Sequence, residues 1–289
     1  MWIDAHHHLW DLNAVHYPWL MADGETRFFG DPAPIQRNYL LSEYRASAAR
    51  MGFSGSVHIQ VGAEDGAAEA KWVDAQAQNN PDWPLVQVAF CDLTAEDREA
   101  QLDAYMQLSS LRGVRQIVGR APGEDAHTGT QKLIASPAFR AGLESLAERG
   151  LSFDLQLTPE LIGPMAELIA PIQDLHVALC HAGSPYDRTA EGIEKWAEML
   201  KPISALPHVT GKISGLGMFD HKWTEASLKP ITDVMLAQFS PERLMFGSNF
   251  PVDSLYSDYA CLVSAYKSIL PLKIHDQIFG ATAKAFYRF

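Results

Sequence analysis

The chain has 289 residues and a mass of 32.0 kDa, which suits either two domains of roughly 150 residues or one α/β barrel of about 250. Hydrophobic residues make up 47% and charged residues 20%, which excludes a disordered chain. Lys plus Arg number 23 against 35 Asp plus Glu, and the resulting net charge of −12 argues against nucleic acid and anionic membrane surfaces as partners.

Short apolar, β-branched runs alternate with helix-period segments along the chain, and strands are predicted at 1–8, 56–61, 85–91, 114–118, 151–157, 175–181, 208–214 and 244–248. After the first strand, an irregular stretch at about 10–41 precedes a helix opened by Ser42 and stopped by Gly52. Thr94, with Asp97 three residues on, reads as an acidic capping box, while Ser136-Pro137 and Thr158-Pro159 each place an oxygen at the cap and proline in the first turn. Eight β-then-α units of about 30 residues predict one (β/α)₈ TIM barrel over residues 1–289. A doubly wound sheet shares this pattern, because periodicity does not report closure. In a barrel, the long 10–41 loop would lie at the mouth of the site. Cys91, Cys180 and Cys261 are odd in number and widely spaced, so they form neither a disulfide framework nor a metal clip. The first residues lack the pattern of a signal peptide, and no run approaches the roughly 18 apolar residues of a membrane span. These features together predict a reduced, cytoplasmic protein.

The strongest chemical signal is His6-His7-His8 at the end of the first strand. Alternation puts His6 and His8 on one face, able to grip a metal or polarise a carbonyl, and turns His7 away into packing. His181 ends the sixth strand in Leu-Cys-His-Ala-Gly, where a barrel places its reacting groups, so three imidazoles are expected to converge. The eighth strand runs into Gly247-Ser248-Asn249-Phe250-Pro251-Val252-Asp253. Gln60 and Arg120 sit near strand ends as candidate substrate contacts. Trp10 and Trp19 in the long loop either stack on a substrate ring or pin the loop. Lys212 either joins a buried ion pair or faces substrate, and Arg115, read as lying before the end of its strand, is expected in a structural ion pair deep in the barrel. Fold-independent serine, dinucleotide and P-loop chemistries have no anchor, since Gly-x-Ser-x-Gly, Gly-x-Gly-x-x-Gly and the Walker lysine loop are missing.

His-x-His on strand one, His181 on strand six and Gly-Ser-Asn-Phe-Pro on strand eight resemble the amidohydrolase superfamily, and more narrowly its lactonase branch. That branch includes L-fucono- and L-rhamnono-lactonases and 2-pyrone-4,6-dicarboxylate lactonase. His16-Tyr17-Pro18-Trp19-Leu20, Arg112-Gly113-Val114-Arg115 and Lys212-Ile213-Ser214-Gly215-Leu216 extend the resemblance along nearly the whole chain. The resemblance implies hydrolysis of a small-molecule substrate, a sugar-acid or dicarboxylate lactone, with decarboxylation of an unsaturated or aromatic acid and a weakened binding protein as the alternatives. It also implies that His6, His8 and His181 polarise the carbonyl, with or without one divalent ion, zinc being the first choice. The family usually carries aspartate where this chain has Asn249. An amide accepts no proton at neutral pH, so base work at strand eight would pass to Asp253 or another group. Strand five ends in Asp154-Leu155-Gln156 and offers nothing that supports a second metal. Oligomeric state has no signature in the sequence.

Overall fold

The structure is a computed structural model that describes residues 1–124 and 130–289, the side chains of residues 130 and 131 aside. Eight parallel strands pair in sequence order: β1 Trp2–His7, β2 Phe53–Ile59, β3 Leu85–Ala89, β4 Leu111–Val114, β5 Ser152–Leu155, β6 Val177–Leu179, β7 Val209–Ile213 and β8 Leu244–Phe246. A helix follows each strand, from Leu41–Arg50 after β1 to Tyr259–Ile269 after β8. Past the end of β8 the ring is joined to β1 by two backbone bonds, Asn249 N–H to the His6 carbonyl and His8 N–H to the Phe250 carbonyl, each 2.7 Å. The result is a (β/α)₈ barrel, and the doubly wound alternative is excluded.

Two apolar cores hold it. The larger lies between strands and helices, and a smaller one fills the barrel with Ile3, Ala5, Val57, Ile59, Val88 and Met245. The C-terminal helix Thr282–Phe286 brings Ala283 and Tyr287 into this inner core and so plugs the barrel floor. Burying such side chains removes roughly 25 cal/mol of unfavourable hydration per Å² of apolar surface, which is what drives closure of both layers.

Some local expectations need correction. β4 ends at Val114 rather than spanning 114–118. Gly113 lies inside it, where a Cβ would fall 2.1 Å from Ser152 Oγ, so glycine permits the close approach of β5. The helix Leu41–Arg50 starts before Ser42 and has no side-chain cap. Thr94 caps nothing, since its hydroxyl is held at 2.7 Å by Asp92, and the helix begins only at Arg98. Ser136 does cap, accepting from Phe139 N–H, whereas Thr158 precedes a short 3₁₀ turn without a side-chain cap bond. The 10–41 stretch is partly ordered into the helix Pro18–Met21 and the 3₁₀ turn Ala33–Ile35, and paired Trp10 and Tyr39 backbones close its base.

Candidate active site

The site forms at the C-terminal ends of the strands. In β1, Ile3 and Ala5 face the inner core, while Asp4 faces the helices, where its carboxylate accepts from Tyr44 Oη at 2.9 Å and Tyr259 Oη at 3.1 Å. Strict alternation would then send His7 inward. The pairing with β2 is irregular between Asp4 and His7, and this bulge resets the alternation. His7 instead stacks on Tyr44 at 3.8 Å on the helix side, leaving His6 and His8 on the inner face.

The rings of His6 and His8 lie 5.1 Å apart between centroids, and those of His6 and His181 lie 4.5 Å apart. Burial holds all three imidazoles well below the ordinary histidine range, with further downward pressure from Arg115 and, for His6 and His181, from Lys212. They are therefore neutral at pH 7. His8 Nδ1 lies 2.7 Å from the Ile59 carbonyl, which only accepts, so Nδ1 carries the proton and Nε2 is a bare lone pair. His181 Nδ1 is steadied by Ser214 Oγ at 3.0 Å. Among the described residues, neither nitrogen of His6 has a partner, and both are buried.

Asn249 completes the cluster. Its Nδ2 donates to Asp253 Oδ1 and its Oδ1 faces His8 Nε2, both at 3.3 Å. His181 and Asn249 both adopt the left-handed backbone region, with φ of 53° and 57°. Ala182 and Ser184 do so as well, so strained backbone gathers at the rim of this site. Asp253 is buried behind Asn249, and burial pushes its carboxyl up to about 7, against the lowering pull of Asn249 and Arg188.

His8 Nε2 and Asn249 Oδ1 are both acceptors and face each other with no proton between them. Two ligands about 2.1 Å from one ion stand roughly 3.0–3.4 Å apart, so this spacing suits a shared cation. The pair His8 Nε2 and Asn249 Oδ1, an imidazole nitrogen with a neutral oxygen, suits a borderline ion such as zinc, but the donor atoms of His6, His8 and His181 do not all come within 4.8 Å of one another, so a third ligand would come from His6 or His181 and not from both as they stand. Among the described residues, the one group of three histidine, cysteine or acidic side chains with donor atoms within 4.8 Å of one another is His6, Asp154 and Cys180. It fits a metal poorly: the Lys212 ammonium already binds Asp154 Oδ2, and burial pushes the Cys180 thiol up to about 12.

A cavity of about 280 Å³ opens above the cluster and is lined by His8, His181 and Asn249. Trp19 and Arg120 also line it. Other candidates lie elsewhere. Trp10 is fully buried, with its indole N–H on the Arg37 carbonyl at 2.6 Å, and pins the loop rather than reaching the cavity. Gln60 is buried beside the cavity, its side chain on Gly62 N–H at 2.8 Å and the Arg115 carbonyl at 3.3 Å. Lys212 is also absent from the cavity wall. It pairs with Asp154 and donates to the Ala5 carbonyl at 2.9 Å, which decides between its two readings in favour of the buried ion pair.

Arg115 is the main reversal. Among the described residues it forms no ion pair, and it lines the cavity together with Gln156. The misplaced end of β4 hid this. With the strand ending at Val114, Arg115 is the first residue beyond it, at the mouth. Arg27, Phe28 and Phe29 of the long loop also wall the cavity, and a cation followed by two aromatic residues in a mouth loop was the available signal.

An eight-stranded barrel with buried imidazoles gathered at the C-terminal strand ends has its reacting groups where a barrel enzyme places them. The chain belongs to the amidohydrolase family, whose model matches residues 3–289. It is 34% identical over 292 residues to the protein y4mH of Sinorhizobium fredii, covering 99% of this chain and 98% of that one. It is 26% identical over 301 residues to the L-fucono-1,5-lactonase of Burkholderia multivorans, covering 99% and 95%. Among solved structures, an amidohydrolase from Burkholderia multivorans with bound zinc superposes with a TM-score of 0.83 at 23% identity, covering 100% and 99% of the two chains. The protein is thus a hydrolase of the amidohydrolase superfamily with relatives in the lactonase branch. Among the described residues, no helix is long and apolar enough to cross a membrane.

Proposed function

We infer that this hydrolase opens a lactone ring by attack of water on the ring carbonyl. The observation that carries the reading is the grouping of His8, His181 and Asn249 on the cavity wall, with the His6 ring beside both histidines and its nitrogens unpartnered among the described residues, and two acceptors facing each other at 3.3 Å. His8 Nε2 and Asn249 Oδ1, with a nitrogen of His6 or His181, would hold one divalent ion, zinc by their donor chemistry, which would supply Lewis acidity at the carbonyl. The zinc bound by the Burkholderia multivorans amidohydrolase and the activity of the L-fucono-1,5-lactonase support this reading. The bare Nε2 of His8 has no proton to give a carbonyl, so donation from that atom does not serve a metal-independent route.

The chain's own groups do the rest. The Ile59 carbonyl fixes the His8 tautomer, and Ser214 fixes the orientation of His181. Asn249 positions groups but cannot take a proton, so acid–base work at strand eight falls to Asp253, one hydrogen bond behind it. The long loop, through Trp19, Phe28 and Phe29, walls the cavity and keeps bulk water out.

A panel of five- and six-membered lactones, assayed by acid release on zinc-loaded protein, tests the reading. Acid release that Asp253→Asn abolishes is the expected result. Carbon dioxide release from unsaturated acids would reassign the site to decarboxylation, and ligand binding without turnover of any lactone would overturn hydrolysis.

A further inference from the structure

We propose that Phe28 is a fixed partition that determines the substrate size of this site. It ends the reactive cavity against a second compartment and limits the protein to a single ring with short substituents. Behind it lies a subsite for an uncharged alkyl or aryl chain. The proposal rests on the lactone reading for the identity of the reacting ring and takes nothing else from it.

Two hollows adjoin at the mouth of the barrel. The reactive cavity, about 280 Å³, holds one six-membered ring with small substituents. It stands at the lower end of ligand sites, which run from roughly 300 to 1,000 Å³. The outer compartment, about 520 Å³, is lined by Tyr186 after β6 and by Met218, Phe219 and His221 after β7. Of the described lining residues, Phe28 and Met218 border both hollows. The Phe28 ring stacks on Phe219 of the outer compartment, with centroids 5.7 Å apart and planes at 25°. It also meets Phe29, which lines the reactive cavity, edge-on at 5.3 Å. One half-buried ring thus bridges the two walls, in the two geometries that aromatic pairs prefer.

The backbone that carries Phe28 is held from both sides. Arg27 and Gly30 close a tight turn around it by two reciprocal bonds, at 2.8 and 2.9 Å. Phe28 N–H donates to Glu124 Oε1 at 2.8 Å, and the same carboxylate pairs with Arg27. From the other side, Tyr256 Oη donates to the Phe29 carbonyl at 2.7 Å. Gly30 has a φ of 108°, and a Cβ there would fall 1.9 Å from Tyr256 Oη, so only glycine lets this clasp close. The Tyr256 ring stacks in turn on His221 of the outer wall, at 4.0 Å. Loops after β4 and after β8 therefore fix the turn, and a ring so fixed blocks the passage instead of swinging out of it. Beyond it, Met218, Phe219 and Tyr186 supply apolar surface, while the lining charges, Asp220 and Lys222, are opposite in sign and favour no net charge.

The test uses lactams, which keep the ring carbonyl but resist opening. δ-Valerolactam and its 6-(2-phenylethyl) derivative are compared by calorimetry on the zinc-loaded protein. The small ring is expected to bind at least about tenfold more tightly, because the longer one must overlap Phe28. Phe28→Ala is expected to shift that ratio at least about tenfold toward the longer lactam, with Phe28→Leu in between. Tyr256→Phe loosens the clasp but keeps the partition, so the ratio should stay near its wild-type value. Equal affinity of the wild-type protein for both lactams would overturn the partition. So would an unmoved ratio in a folded Phe28→Ala, or in Phe28→Leu should the alanine variant fail to fold. No binding of the longer lactam to either variant would overturn it as well. A Tyr256→Phe protein that admits the longer lactam as freely as Phe28→Ala would replace the fixed partition by a moving gate. The corresponding lactones are assayed in parallel by acid release. A lactam preference that follows residue 28 with neither lactone opened would keep the partition and remove the lactone reading instead.

Discussion

Two polar clusters share the inside of this barrel, and they are built on opposite principles. Around Asp154, the carboxylate receives the Lys212 ammonium and the Tyr287 hydroxyl, the latter at 2.9 Å, while Lys212 also donates to the Ala5 carbonyl. Every strong group in that cluster is answered by another group of the chain. Around His6, by contrast, both ring nitrogens lack partners, and His8 Nε2 and Asn249 Oδ1 face each other as acceptors. The two clusters are neighbours, since His6 and Asp154 donor atoms come within 4.8 Å. Burial and charge do not tell them apart. Completeness of hydrogen bonding does: the closed cluster ties strands to the C-terminal plug, and the open one awaits a ligand.

Removing one member of the closed cluster gives the largest expected effect. Lys212→Met strands the Asp154 carboxylate in the core and should cost about 3–5 kcal/mol in denaturant unfolding. A stable Lys212→Met with lost activity would show that this cluster, too, serves the reaction. In the open cluster the pattern reverses. His6→Ala and His181→Ala should each lower kcat at least about a hundredfold with little change in Tm, and near-normal turnover in a folded His181→Ala would dissolve the contrast. Asn249→Asp sharpens it further. Replacing the neutral oxygen by an anionic one should tighten zinc binding by about tenfold in competition with a chelator, and unchanged affinity would remove residue 249 from the donor set.

The smallest effect concerns Asp253, at the edge of the open cluster. Its carboxyl is raised from 3.8 to about 7 by burial, so the folded protein holds a proton that the unfolded chain releases. The stability it contributes is fully present below the unfolded value and is lost as pH rises through about 7. Thermal unfolding followed from about pH 5 to 8 should show a decline on the order of 1 kcal/mol that Asp253→Asn flattens. Parallel curves for the two proteins would place the proton elsewhere.

The arithmetic of the chain carried the architecture. Eight apolar runs alternating with capped helical stretches specify β-then-α units, because side-chain period and turn chemistry are local properties. The histidines at 6, 8 and 181 were legible for the same reason: each stands where an apolar run stops, and strand ends are where a barrel exposes its side chains. What escaped the sequence depends on contacts between strands. That His6 and His8 share a face was legible, but which face, the barrel interior, depends on the register shift where β1 pairs with β2. The end of β4 at Val114, and with it the place of Arg115, follows from pairing with β3 and β5. The choice of Lys212 for Asp154 needed two strands that are 58 residues apart in the chain to meet. Local propensity fixes which elements form, but the direction of a buried polar side chain follows the partner that satisfies it, and only the closed barrel brings those partners together.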